Sequence, residues 1–205
     1  VVISAGDVGG QRTGGELSMS AGSGAVGGEV LIRSGDGALG GGGAVTIEAG
    51  EGSGTFHGGD VTIDGGVSST GISKGGSVTI SGGEGVSSSD GGAVAVQGGF
   101  SATGEGGNLE LLGGASTRGG SGSVTMASAE SKSTSASGDV SVSSGTSNAG
   151  PSGTVVIGSG DSKSNAAGDV KVAAGSSGNA HAGGSIDLIG GFGADGGSVN
   201  IASGE

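Results

Sequence analysis

Large apolar residues stand in pairs along this chain, two positions apart, inside the frame Gly-x-Φ-x-Φ-x-x-Gly. Fourteen such pairs run from Val1/Ile3 to Val199/Ile201, and their first members lie 13 to 17 residues apart. Positions are counted here from the first Φ of a repeat. Glycine occupies Φ−2 in every complete repeat, at Gly15, Gly28, Gly43, Gly59, Gly76, Gly92, Gly107, Gly122, Gly138, Gly153, Gly168, Gly184 and Gly197. It occupies Φ+5 throughout except at Ala129. Position Φ+4 is always Gly, Ala or Ser.

Apolar and polar residues alternate within a pair, as in Ser77-Val78-Thr79-Ile80-Ser81. That is the period of a strand, and valine and isoleucine are residues that strands favour. A helix would not place i and i+2 on one face, and it would not tolerate so much glycine. A short strand recurring at a fixed period of this size is the mark of a stacked coil. The pattern therefore predicts an all-β fold, a parallel β-solenoid of about 14 rungs of 13–17 residues. Its inner ladder would include Val45, Ile47, Val61, Ile63, Val78, Ile80, Val94, Val96, Leu109 and Leu111, with corner glycines at Gly59, Gly76, Gly92 and Gly107. The variable remainder of each rung carries scattered larger residues, among them Val26, Leu39, Phe56, Val67, Ile72, Val86, Phe100 and Phe192. It reads as a second, irregular strand, and Pro151 falls there, where a missing N–H is tolerable. The interior would be thin and rich in Gly, Ala and Ser. Burial of the Φ side chains alone does not offset the ordering of so many backbones. The fold would need continuous hydrogen bonding between rungs.

The repeat fills residues 1–205 as one array with no change of composition at either end. A solenoid exposes unpaired backbone at its last rungs, so uncapped ends predict a segment of a longer chain or a unit that stacks end to end. Within residues 127–180 the chain is richer in Ser, Asn and Ala, and Φ−3 changes from Gly to Ser121, Ser137, Ser152 and Ala167. The period does not break there.

Composition sharpens this reading. Glycine supplies 57 of 205 residues, and there are three phenylalanines and no cysteine. Disulfides and thiolate metal sites are thereby excluded. No apolar run reaches the ~20 residues that span a bilayer. A net charge of −12, with its seven basic residues scattered, argues against nucleic acid and anionic membranes as partners. Catalysis is not expected: His57 and His181 lie eight repeats apart, and no nucleophile–base set can be assembled. The glycine runs lack the Gly-Lys-Ser/Thr of a phosphate loop.

Calcium is the one cofactor the acidic residues suggest, with Glu16, Glu29, Asp60 and Asp64 as candidate ligands. The Gly-Gly-x-Gly-x-Asp pattern of calcium-binding β-rolls is absent, and solvated outer faces account for these residues equally. Two opposite-charge pairs, Arg33 with Glu48 and Lys171 with Asp187, would share columns in adjacent rungs. Thr46, Thr62 and Thr79 form a short threonine run of the kind ice-binding surfaces use, which Glu110, Lys171 and Asp187 interrupt. No Asn-x-Ser/Thr sequon occurs, so any glycans would be O-linked.

The run Gly75–Gly85, Gly-Gly-Ser-Val-Thr-Ile-Ser-Gly-Gly-Glu-Gly, echoed at 138–145, resembles the large Gly/Ser-rich repeat proteins of diatoms and related algae, and is comparable to bacterial β-solenoid adhesins. The resemblance implies an extracellular or cell-surface structural role and brings no catalytic residues. The expected function is a filament or fibre component whose partner is itself or the remainder of a longer array. The alternative is an adhesin-like, calcium-binding or ice-binding surface.

Overall fold

A computed structural model describes the chain except for Gln11, residues 70–72, Asn179 and Glu205. Ile72 thus lies outside the described residues. Two compact units, Val1–Leu109 and Glu110–Glu205, are each built from the same repeat.

The β-solenoid expectation is overturned: among the described residues there is no strand, no helix and no sheet. The physical reason lies in where the backbone hydrogen bonds go. The N–H of the glycine at Φ−2 donates back to the C=O at Φ+5 of the preceding repeat, as Gly59 does to Gly50, Gly76 to Gly66, Gly92 to Gly83 and Gly107 to Gly99. Ten of the thirteen junctions make this bond, always at 2.8–2.9 Å. Each bond closes the neck of one loop, and the loops so closed hold five residues (Gly22 to Gly28) to nine (Gly66 to Gly76). The Φ segments make no backbone bonds to one another, so no ladder forms and the rung-to-rung bonding that a solenoid needs is missing.

The neck is also antiparallel where a solenoid requires parallel strands. A Cβ added to Gly82 would collide with the carbonyl oxygen of Gly92 and lie 3.6 Å from the amide nitrogen of Ala93. Gly65 stands in the same relation to Gly76 and Ser77. The chain going back from Φ+5 to Φ+4 therefore meets the chain going forward from Φ−2 to Φ−1, as in the first step of a hairpin.

No described residue is fully buried. The Φ positions read as an inner ladder are exposed, at 46–57% for the first member from Leu17 onward and 61–85% for the second. The accessible area is 19875 Å². A globular chain of this mass would expose about 8,000 Å² and an extended one about 26,000 Å². Hydrophobic burial is not what holds this conformation. The least exposed of the described residues are small ones at two repeat positions: Ala5, Ser34, Gly65, Gly98, Gly113 and Gly190 at Φ+4, and Gly52, Gly85, Ser101 and Ser131 at Φ+7. The closest packing of the chain is at its loop necks, between backbones.

The segments read as second strands are turns and bends, and Leu39, Phe56, Phe100 and Phe192 within them are exposed. Their shape follows their length. In four repeats of fifteen residues a serine at Φ+7 accepts the amide three residues on: Ser101 from Gly104, Ser116 from Gly119, Ser147 from Gly150 and Ser162 from Asn165. This is the short serine turn that fixes a loop without side-chain packing. In two repeats of sixteen residues the loop turns differently. Phe56 donates to Ser53 and Ser89 to Val86, both at 3.3 Å. The residue after each acceptor has positive φ, +66° at Gly54 and 63° at Ser87. Gly10, at the same Φ+9 position, has φ +88°. Glycine enters this left-handed region freely, whereas serine is strained there.

Candidate functional site

The described residues contain no pocket and no group of three acidic or histidine side chains able to hold a metal ion. The calcium candidates Glu16, Glu29, Asp60 and Asp64 all stand exposed on the surface. His57 and His181 are exposed as well, each in its own loop. The described residues contain one ion pair, Lys171 with Asp169 at 3.4 Å, two residues apart in a single repeat. The expected pairings of Lys171 with Asp187 and Arg33 with Glu48 in neighbouring rungs are absent, because no stacked column carries them. No described helix is long and apolar enough to cross a membrane.

What the chain does present is periodic. Fourteen pairs of large apolar residues, each close to half exposed or more, recur between loops of varying length. Single exposed apolar residues are ordinary on protein surfaces, but a regular series is not. Between the pairs lie the necks, and these are of two kinds.

Ten necks are closed and three are open: among the described residues the N–H groups of Gly138, Gly153 and Gly168 have no backbone partner, nor do the C=O groups of Ala129, Gly145 and Gly160 opposite them. The difference follows the sequence without exception. Where Φ+4 or the Φ−3 that follows it is glycine, the neck is closed. Where both carry a side chain, as in Ser128/Ser137, Ser144/Ser152 and Ser159/Ala167, it is open. Glycine at Φ+4 lets the opposite carbonyl come inside the space of a Cβ, as at Gly113 with Gly122. Glycine at Φ−3 instead frees the backbone just before the donor, so that the amide still reaches past Ala5, Ala21, Ser34, Ala49 or Ala174. Without either route the legs part. At Gly138, Gly153 and Gly168 the one neighbour an added Cβ would meet is a serine Cβ, at 3.8, 3.4 and 3.8 Å, whereas at closed necks it would also meet the backbone at Φ+5.

The sequence pattern had shown the change at Ser137, Ser152 and Ala167 but attached no consequence to it. The coincidence of those residues with Ser128, Ser144 and Ser159 was the available signal. The Φ+7 serines stand in the sequence at the same fixed offset. No family model matches the chain, and neither a curated protein nor a solved structure matches it.

Proposed function

We propose that this chain is a structural, non-enzymatic repeat protein that builds an extracellular or cell-surface fibre or sheath by association with copies of itself. The observation that carries the reading is the series of exposed Val, Ile and Leu pairs held at one repeat position throughout an array with no core of its own. Apolar area left in water by one molecule is a driving force for joining another, at about 25 cal/mol per Å² covered. Stable protein contacts need about 800 Å² from each partner, which a few repeats of this surface supply. The negative charge keeps single copies soluble, and the glycine-rich, weakly charged repeat suits a load-bearing material more than a recognition module. The resemblance to Gly/Ser-rich algal repeat proteins supports a place outside the cell.

Sedimentation velocity with negative-stain microscopy tests this. Purified chain is expected to pass from monomers to rods or ribbons of uniform width as concentration rises, and serine substitution of the first Φ in five successive repeats (Val45, Val61, Val78, Val94 and Leu109) is expected to raise the concentration required. A chain that stays monomeric at millimolar concentration would refute the reading.

A further inference from the structure

The open necks are three in succession, at 129/138, 145/153 and 160/168, and every other neck is closed. We infer that residues 129–168 are the contact through which two copies of the chain pair, antiparallel about the loop 146–152. This rests on the self-association proposed above and names the surface that begins it.

Three observations converge on that segment. Its free amides and carbonyls are solvent-exposed backbone groups in a row, the kind of edge on which another chain can form hydrogen bonds. It is also a weakly charged stretch, which lowers the repulsion of a like-charged copy. Of a net charge of −12 it carries three acids (Glu130, Asp139, Asp161) and two bases (Lys132, Lys163), a net of −1. Finally, the charges of its two outer loops are self-complementary. The first loop has acid then base, Glu130 and Lys132, at Φ+6 and Φ+8, and the third loop repeats this with Asp161 and Lys163. The loop between them is uncharged. A two-fold axis through that middle loop sets the first loop of one copy against the third of the other, with Glu130 facing Lys163 and Lys132 facing Asp161 in a single register. An isologous contact requires such a palindrome. A parallel arrangement would set acid on acid.

The test is sedimentation equilibrium of the full chain in three forms. Lys132→Glu with Lys163→Glu makes both outer loops acidic, and dimerisation should weaken by about tenfold or more. Exchanging all four charges (E130K, K132E, D161K, K163E) retains the palindrome and should restore it. Closing the necks with S137G, S152G and A167G should also weaken pairing, and slower exchange of the Gly138, Gly153 and Gly168 amides in the dilute monomer would verify the closure. Carbodiimide coupling of mixed isotope-labelled and unlabelled chains should join Lys132 of one copy to Asp161 of another. If the wild-type chain dimerises but the charge variants and the neck variants dimerise equally well, this contact is wrong and the structural role stands. If the wild-type chain does not associate at all, both fail.

Discussion

Gly122 donates its amide to the Gly114 carbonyl at 2.8 Å although the residue before it is Ser121, not glycine. This neck stays closed because Gly113 has no Cβ, which leaves room for the Gly122 carbonyl. It is the one closed neck that depends on Φ+4 alone.

Gly113→Ala is accordingly expected to open it. An exposed backbone bond is worth about 1 kcal/mol net, so exchange of the Gly122 amide should speed up about fivefold. The same substitution at Gly65, where Gly75 supplies the second route, should leave the Gly76 amide less affected. Amide exchange followed by NMR separates the two. Equal effects would refute the two-route account.

Ser87 is the only described residue other than glycine with positive φ, and it occupies the position that Gly10 and Gly54 fill in repeats of equal length. Ser87→Gly removes a left-handed penalty of about 1 kcal/mol. The Ser89 amide, which donates to Val86 across this turn, should then exchange severalfold more slowly. Gly54→Val should have the opposite effect on the Phe56 amide.

Salt should favour assembly. At about 10 mM ionic strength charges act across some 30 Å, and at about 150 mM across only 8 Å. Two copies each carrying −12 repel over the longer range. The association constant is expected to rise several-fold over this interval in sedimentation equilibrium, and a fall would place attraction between charges ahead of apolar contact.

Calcium should do little. With Glu16, Glu29, Asp60 and Asp64 standing exposed and outside any three-ligand group, isothermal titration is expected to show no site tighter than about a millimolar. A stoichiometric response abolished by Asp60→Asn and Asp64→Asn would reverse that conclusion.

The repeat itself was legible in the sequence: the Φ pairs, the glycines at Φ−2 and Φ+5, and the confinement of length changes to one segment. The pairing of those glycines with each other was not. The frame around Val78 and Ile80 says that something bends at Gly76 and Gly83, but the same glycines suit a coil passing on to its next turn or a loop closing on itself. The choice depends on whether the backbone of Val78-Thr79-Ile80 finds a partner in another repeat, which alternation alone does not decide. The Φ side chains misled for a related reason. Strand-like alternation signals a face that some surface could cover, and here no described part of the same molecule covers it. The charges of Lys171 and Asp169 were visible, yet their partnership required knowing that no stacked column brings Asp187 nearer.

The neck from Gly22 to Gly28 and the neck from Gly66 to Gly76 make the same bond around contents of very different size. Each loop is thus insulated from the framework that carries it. Extra residues placed in a loop, between Asn148 and Ala149 for example, need not disturb the spacing of the aliphatic pairs. The chain is therefore a natural carrier for grafted peptides: an epitope, a mineral-binding sequence or a protease site could be displayed once per repeat, at a density set by the array.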